Sequence, residues 1–151
     1  MTPRRFILID IENFNGGPVS TPSQAKWCRR MLDNWLTINR GDQVVIAADV
    51  HTVTNIHLAW PQARILAGRC EDGADLRLLT VMDENLAEKY TELVLVSGDW
   101  IFAQKVSELA GQGLPTHVYS HAAALSKRLQ FAATTITTTI TTETMTIRKA
   151  A

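Results

Sequence analysis

The chain of 151 residues carries no excess of either charge, fifteen Lys and Arg balancing fifteen Asp and Glu. No whole-molecule field draws in a polyanion, so any nucleic acid must be held by a local patch. Cysteine is scarce: Cys28 and Cys70 stand far apart, with neither C-x-x-C nor Cys/His ligand spacing. That excludes a disulfide scaffold and a zinc finger and leads us to expect reduced thiols in the cytoplasm. No run approaches the roughly 18 apolar residues of a membrane span. The short apolar segment after Arg4 and Arg5 ends in an acid, so neither a signal peptide nor a membrane partner is expected. Glycine-rich phosphate loops are missing too. Neither Gly-x-Gly-x-x-Gly nor Gly-x-x-x-x-Gly-Lys-Ser/Thr follows the first apolar segment, which argues against a nucleotide-binding or phosphotransfer domain.

What is present is a hydrophobic fraction of 46%, enough for one well-buried domain. Strand signals near residues 5–10, 43–48, 63–66, 92–97 and 116–119 alternate with helix signals near 22–37, 53–59, 74–88, 100–111 and 122–131. Such alternation predicts an α/β fold whose mostly parallel sheet is covered on both faces. Thr21 and Pro22 mark the first helix start, and Asn15-Gly16-Gly17-Pro18 reads as a loop. Residues 132–151 form a separate extension: 132–147 hold nine threonines, and an added edge strand and a disordered tail both stay open there.

The chemistry gathers at strand ends. Ile7-Leu8-Ile9-Asp10 and Leu93-Val94-Leu95-Val96-Ser97-Gly98-Asp99 each read as a buried strand leading to a carboxylate, and in open α/β sheets the ligand crevice lies beyond those ends. Asp75 heads the apolar stripe Leu78, Leu79, Met82, Leu86 of the helix predicted at 74–88 and so points toward the same crevice. Two carboxylates about 4 Å apart repel by roughly 4 kcal/mol at an effective dielectric near 20, unless a proton or cation intervenes. A divalent metal answers that repulsion.

Each residue also has a plainer reading. Asp10 could bond the backbone amides that follow it, Asp75 could serve as the third-position acid of a cap begun by Asp72, and Asp99 could cap the helix starting at Trp100. Asn13 offers an uncharged oxygen and a donor amide, though Asn also favours turns. Asp49 ends the second strand and could line the crevice, while Glu71 and Asp72 could support it from outside. His51 and His57 read as surface residues and Asp83 as a solvated or salt-bridged acid. Trp100 could stack on a base.

Ile9-Asp10-Ile11-Glu12-Asn13, Gly73-Ala74-Asp75-Leu76 and Val96-Ser97-Gly98-Asp99-Trp100-Ile101-Phe102, in that order, resemble the three signatures of the NYN domain, a branch of the PIN-like nucleases. The resemblance covers residues 4–131. It implies a single three-layer α/β/α sandwich and metal-dependent endoribonuclease chemistry, with Asp10, Asn13, Asp75 and Asp99 as catalytic residues. Asp10, Asp75 and Asp99 would hold Mg²⁺ or Mn²⁺, and the substrate would be RNA, single-stranded or in structured loops. Ser97, Arg69, Arg77 and Lys105 are candidates for substrate contacts. Many relatives place a further Asp directly before the Phe; here Ile101 stands there. A catalytically weak RNA-binding or protein-interaction module on the same fold therefore stays beside the nuclease reading, and a homodimer is left open.

Overall fold

The computed structural model describes residues 3–70, 72–140 and 143–148. Seven strands, β1 (Arg5–Asp10), β2 (Gln43–Asp49), β3 (Arg64–Gly68), β4 (Glu92–Val96), β5 (Thr116–His121), β6 (Thr135–Ile140) and β7 (Glu143–Arg148), form one sheet in the order β3-β2-β1-β4-β5-β6-β7. The first six run parallel and β7 is antiparallel to β6. The helices are α1 (Ile11–Asn15), α2 (Pro22–Leu36), α3 (Val53–Ala59), α4 (Gly73–Met82), α5 (Leu86–Lys89), α6 (Ala103–Gly111) and α7 (Lys127–Ala132). Single turns of 3₁₀ helix occupy Trp100–Phe102 and Ala122–Ala124.

Side-chain alternation along the central strand divides the interior into two cores. Ile7 and Ile9 pack with Ile11, Phe14, Leu32 and Ile56 beneath α1, α2 and α3. Phe6 and Leu8 face the other way, toward Leu78, Met82, Phe102 and Val106 beneath α4 and α6. Ile7, Leu8 and Ile9 are wholly buried, which is why β1 reads as an uninterrupted apolar run rather than an alternating one. The result is a three-layer α/β/α sandwich.

Three local features revise the sequence expectation or fill in what it left open. Glu12 and Asn13 lie in a short helix, α1, which the Asp10 side chain caps by accepting the Asn13 N–H at 3.4 Å. The single helix expected at 74–88 is two: α4 stops at Met82, and Asn85, in the left-handed region at φ 56°, turns the chain before α5. Leu86 therefore reaches the core from α5 and is not part of the Asp75 stripe. The threonine-rich segment contributes both β6 and β7. Ile136 is buried in the core beneath α6 and α7, and Thr135 and Thr139 stand opposite His117 and His121, bonding their Nδ1 atoms at 2.6 and 2.8 Å.

Candidate functional site

Strand order reverses on either side of β1. Chain continuation runs outward through β2 and β3 on one side, whereas β4, β5 and β6 lie on the other. The carboxyl ends of β1 and β4 thus adjoin at a topological switch point, where a crevice opens in folds of this kind. Register pairs Ile9 with Val96, so Asp10 and Ser97 emerge side by side from the two strands. The Ser97 hydroxyl donates to Asp10 Oδ2 at 2.9 Å, with both residues buried.

The next turn is built around Gly98. Its N–H donates to Asn13 Oδ1 at 3.0 Å, and its carbonyl accepts the Ser126 N–H at 2.8 Å. A Cβ on Gly98 would fall 2.2 Å from the Ala124 carbonyl oxygen, so only glycine permits this seating. Asp99 follows, accepting the Ile101 N–H at 3.1 Å while its own N–H donates to Ser97 Oγ at 3.2 Å. The capping role for Asp99 is thus present together with its place in the crevice.

Asp75 arrives from the opposite wall. Gly68, ending β3, packs so closely on the start of α4 that a Cβ would stand 2.2 Å from Ala74 N. This contact lowers the first turn of α4, with Asp75 in it, onto the strand ends. Asp72 occupies the cap position of α4 at φ 62°, but its side chain makes no capping bond. An open cavity of about 340 Å³ results, lined by Asp10, Glu12, Asn13, Asp49, Cys70, Asp72, Asp75 and Asp99 among others. Cys70, with no Cys or His at ligand spacing in the sequence, carries no local signal of its place in this wall. Glu12 is engaged structurally, its Oε1 accepting the Asp49 N–H at 2.5 Å.

The electrostatics follow from this crowding. Burial, then the neighbouring Asp10 and Asp99 carboxylates, push the Asp75 carboxyl up to about 8. Asp10 is also raised, chiefly by burial and further by the charge of Asp99, while bonds from Asp75, Ser97 and Asn13 oppose the rise. Asp75 faces both other aspartates in the crevice. A carboxyl raised that far favours its protonated form at neutral pH, which relieves the repulsion among the three acids. Among the described residues no three His, Cys, Asp or Glu side chains form a ready-made ligand cluster. A cation would accordingly replace the Asp75 proton rather than drop into a finished cage. The donor chemistry suits a hard ion, since carboxylate oxygens predominate among the groups lining the crevice.

The proposed substrate contacts fare differently. Ser97 is in the site. Arg69 is exposed on the loop after β3, and Arg77, two residues beyond Asp75 and hence about 200° round α4, points away from the crevice. Lys105 on α6 is held by Asp83 at 2.5 Å and Glu108 at 3.0 Å, and none of these three cations lines the cavity. His51 and His57 are exposed, and Asp49 lines the pocket. Glu71 lies outside the described residues. A larger groove, about 930 Å³, opens at the amino ends of the strands, but its Arg64 and Glu84 are paired with each other and its Asp42 with Arg5.

No protein-family model matches the chain. No curated protein matches it either. Among solved structures, a crystal structure of a protein of unknown function from Vibrio parahaemolyticus is similar, with a TM-score of 0.66 at 16% identity, covering 95% of this chain and 97% of that one. At that identity the likeness establishes the fold alone.

Proposed function

We propose that this chain is a metal-dependent endoribonuclease of the NYN type, hydrolysing RNA phosphodiester bonds in the crevice beyond β1 and β4. The observation that carries the reading is the meeting of Asp75 with Asp10 and Asp99 in one crevice at the switch point. Asp10, Asp75 and Asp99 would hold Mg²⁺ or Mn²⁺. Such an ion, when bound, stabilises charge on the phosphate and acidifies a water.

The chain's own groups do the positioning. Ser97 fixes one Asp10 oxygen through its hydroxyl, leaving the carboxylate a single orientation. Asn13 spends its carbonyl oxygen on the Gly98 N–H, which directs its amide NH₂ away from that bond. That NH₂ is the donor available for a phosphate oxygen or an attacking water. Asp99, tied at one oxygen by the Ile101 N–H, keeps the other for a ligand.

A binding module with little cleavage is the second reading, favoured by Ile101. Ile101, half-buried against the core, stands at the position where many members of the resembling family carry a fourth acid. Incubation with mixed-sequence single-stranded RNA in Mg²⁺, Mn²⁺ or EDTA, with Asp10→Asn alongside, decides between them. Cleavage that needs the metal and is lost in Asp10→Asn supports the nuclease; RNA binding without cleavage supports the module.

A further inference from the structure

We propose that the rim beyond Asp99, made by Trp100, Lys127 and Arg128, is a landing platform for single-stranded RNA, with a base stacked on Trp100 and the adjoining phosphates held by the two cations. The inference rests on the reading of the acidic pocket just given. A pocket walled by carboxylates repels a polyanion, and the neutral net charge of the chain offers no compensating field. Cations must therefore stand close by, and Lys105 is already neutralised by Asp83 and Glu108.

Lys127 and Arg128 satisfy that requirement through the backbone. They open α7 directly after Ser126, whose N–H is bonded to the Gly98 carbonyl, one residue before Asp99. Both are exposed, and among the described residues neither has a carboxylate within salt-bridge distance. Trp100, immediately after Asp99, leaves 58% of its surface in water, and the Arg128 guanidinium carbon lies 5.7 Å from its ring centroid. An exposed indole beside unneutralised cations combines the two elements that bind single strands: a π-face for any base and charge for the backbone. A duplex has its base faces already stacked, so the platform selects unpaired RNA.

Anisotropy titrations of a labelled oligouridylate and of an RNA duplex, with the full chain in EDTA and with its Asp75→Asn variant in Mn²⁺, test the platform. Trp100→Ala should weaken binding of the oligouridylate about 5- to 160-fold, the loss of one base stack, and Trp100→Phe should restore most of it. Lys127→Gln with Arg128→Gln should weaken binding and lower the slope of log affinity against log salt by about 1.4, the contribution of two single-strand phosphate contacts. All three residues are exposed, so circular dichroism should show these variants folded. The platform is overturned by a wild type that binds no single-stranded RNA or prefers the duplex, and by variants that bind as tightly as wild type. Cleavage that persists unchanged in the variants overturns the platform and leaves the nuclease standing. Platform-dependent binding with no cleavage in any metal does the reverse.

Discussion

Ser97 and Asp10, 87 positions apart in the chain, are joined by a buried hydroxyl-to-carboxylate bond of 2.9 Å. The bond ties the ends of two adjacent parallel strands and sets the height at which Asp75, descending from α4, meets them. Much of the behaviour expected of the site follows from that meeting.

Asp75→Asn should stabilise the metal-free protein at neutral pH. The folded-state value near 8 lies above the ordinary value of 3.8, so the native state binds more protons than the unfolded state between those limits. The Asp75 contribution to stability is therefore fully present below about pH 4 and is lost as pH rises toward 8. Allowing for solvent screening of a half-exposed carboxyl, the substitution should recover about 1–3 kcal/mol at pH 8 and flatten the decline. Urea unfolding at pH 5 and pH 8 measures both.

Mn²⁺ should bind saturably and displace the Asp75 proton. Affinity should rise between pH 6 and pH 8, and calorimetry in buffers of different ionisation enthalpy should register proton release. Asp75→Asn and Asp99→Asn should each lower affinity by at least about tenfold, as expected on losing one carboxylate ligand. Unchanged binding in both variants would mean that the aspartates do not share an ion.

Gly98→Ala should damage fold and site together. The added methyl carbon would overlap the Ala124 carbonyl and the Ser120 hydroxyl, at 2.2 and 2.5 Å, and backbone on that side cannot yield cheaply. We expect a loss of about 2–4 kcal/mol in stability, comparable with severe overpacking. Gly111→Ala, where nothing lies within 4 Å, should be nearly neutral and serves as the control.

Ile101→Asp tests whether the fourth acid of the resembling family is what this site lacks. The new carboxylate should strengthen binding of a second Mn²⁺ and raise RNA cleavage. Because Ile101 packs partly against the core, the variant should also lose about 1–2 kcal/mol. A folded protein with unchanged metal stoichiometry and rate would refute the idea.

The sequence exposed the parts of this molecule that depend on near neighbours. Apolar runs such as Ile7-Leu8-Ile9 announce buried parallel strands, and the acids that end them announce the crevice, because both signals are local. The break at Asn85 was hidden because Leu86 continues the helical spacing of Leu78 and Met82, although it reaches the same core from a new helix. Arg77 and Lys105 looked available for RNA because charge alone does not reveal direction or partner; α4 turns one away and Asp83 holds the other. Lys127 and Arg128 gave no signal, since their nearness to Asp99 depends on a backbone bond between Ser126 and Gly98. The threonines of β6 were ambiguous for a similar reason: their partners, His117 and His121, lie on another strand.

The placement of β1 in the middle of the sheet has a consequence for the order in which the molecule is made. Asp10 and Asn13 are synthesised early, Asp75 midway, and Ser97 and Asp99 only with the strand that docks on the far side of β1. Contacts so distant in the chain form late in folding, after local helices and hairpins. A nascent chain that stops before β4 has bare acids and no Ser97 bond, no Gly98 turn and no α7 rim. The acidic crevice is thus drawn from three stretches far apart in one chain, and its wall is complete only once β4 has docked on β1.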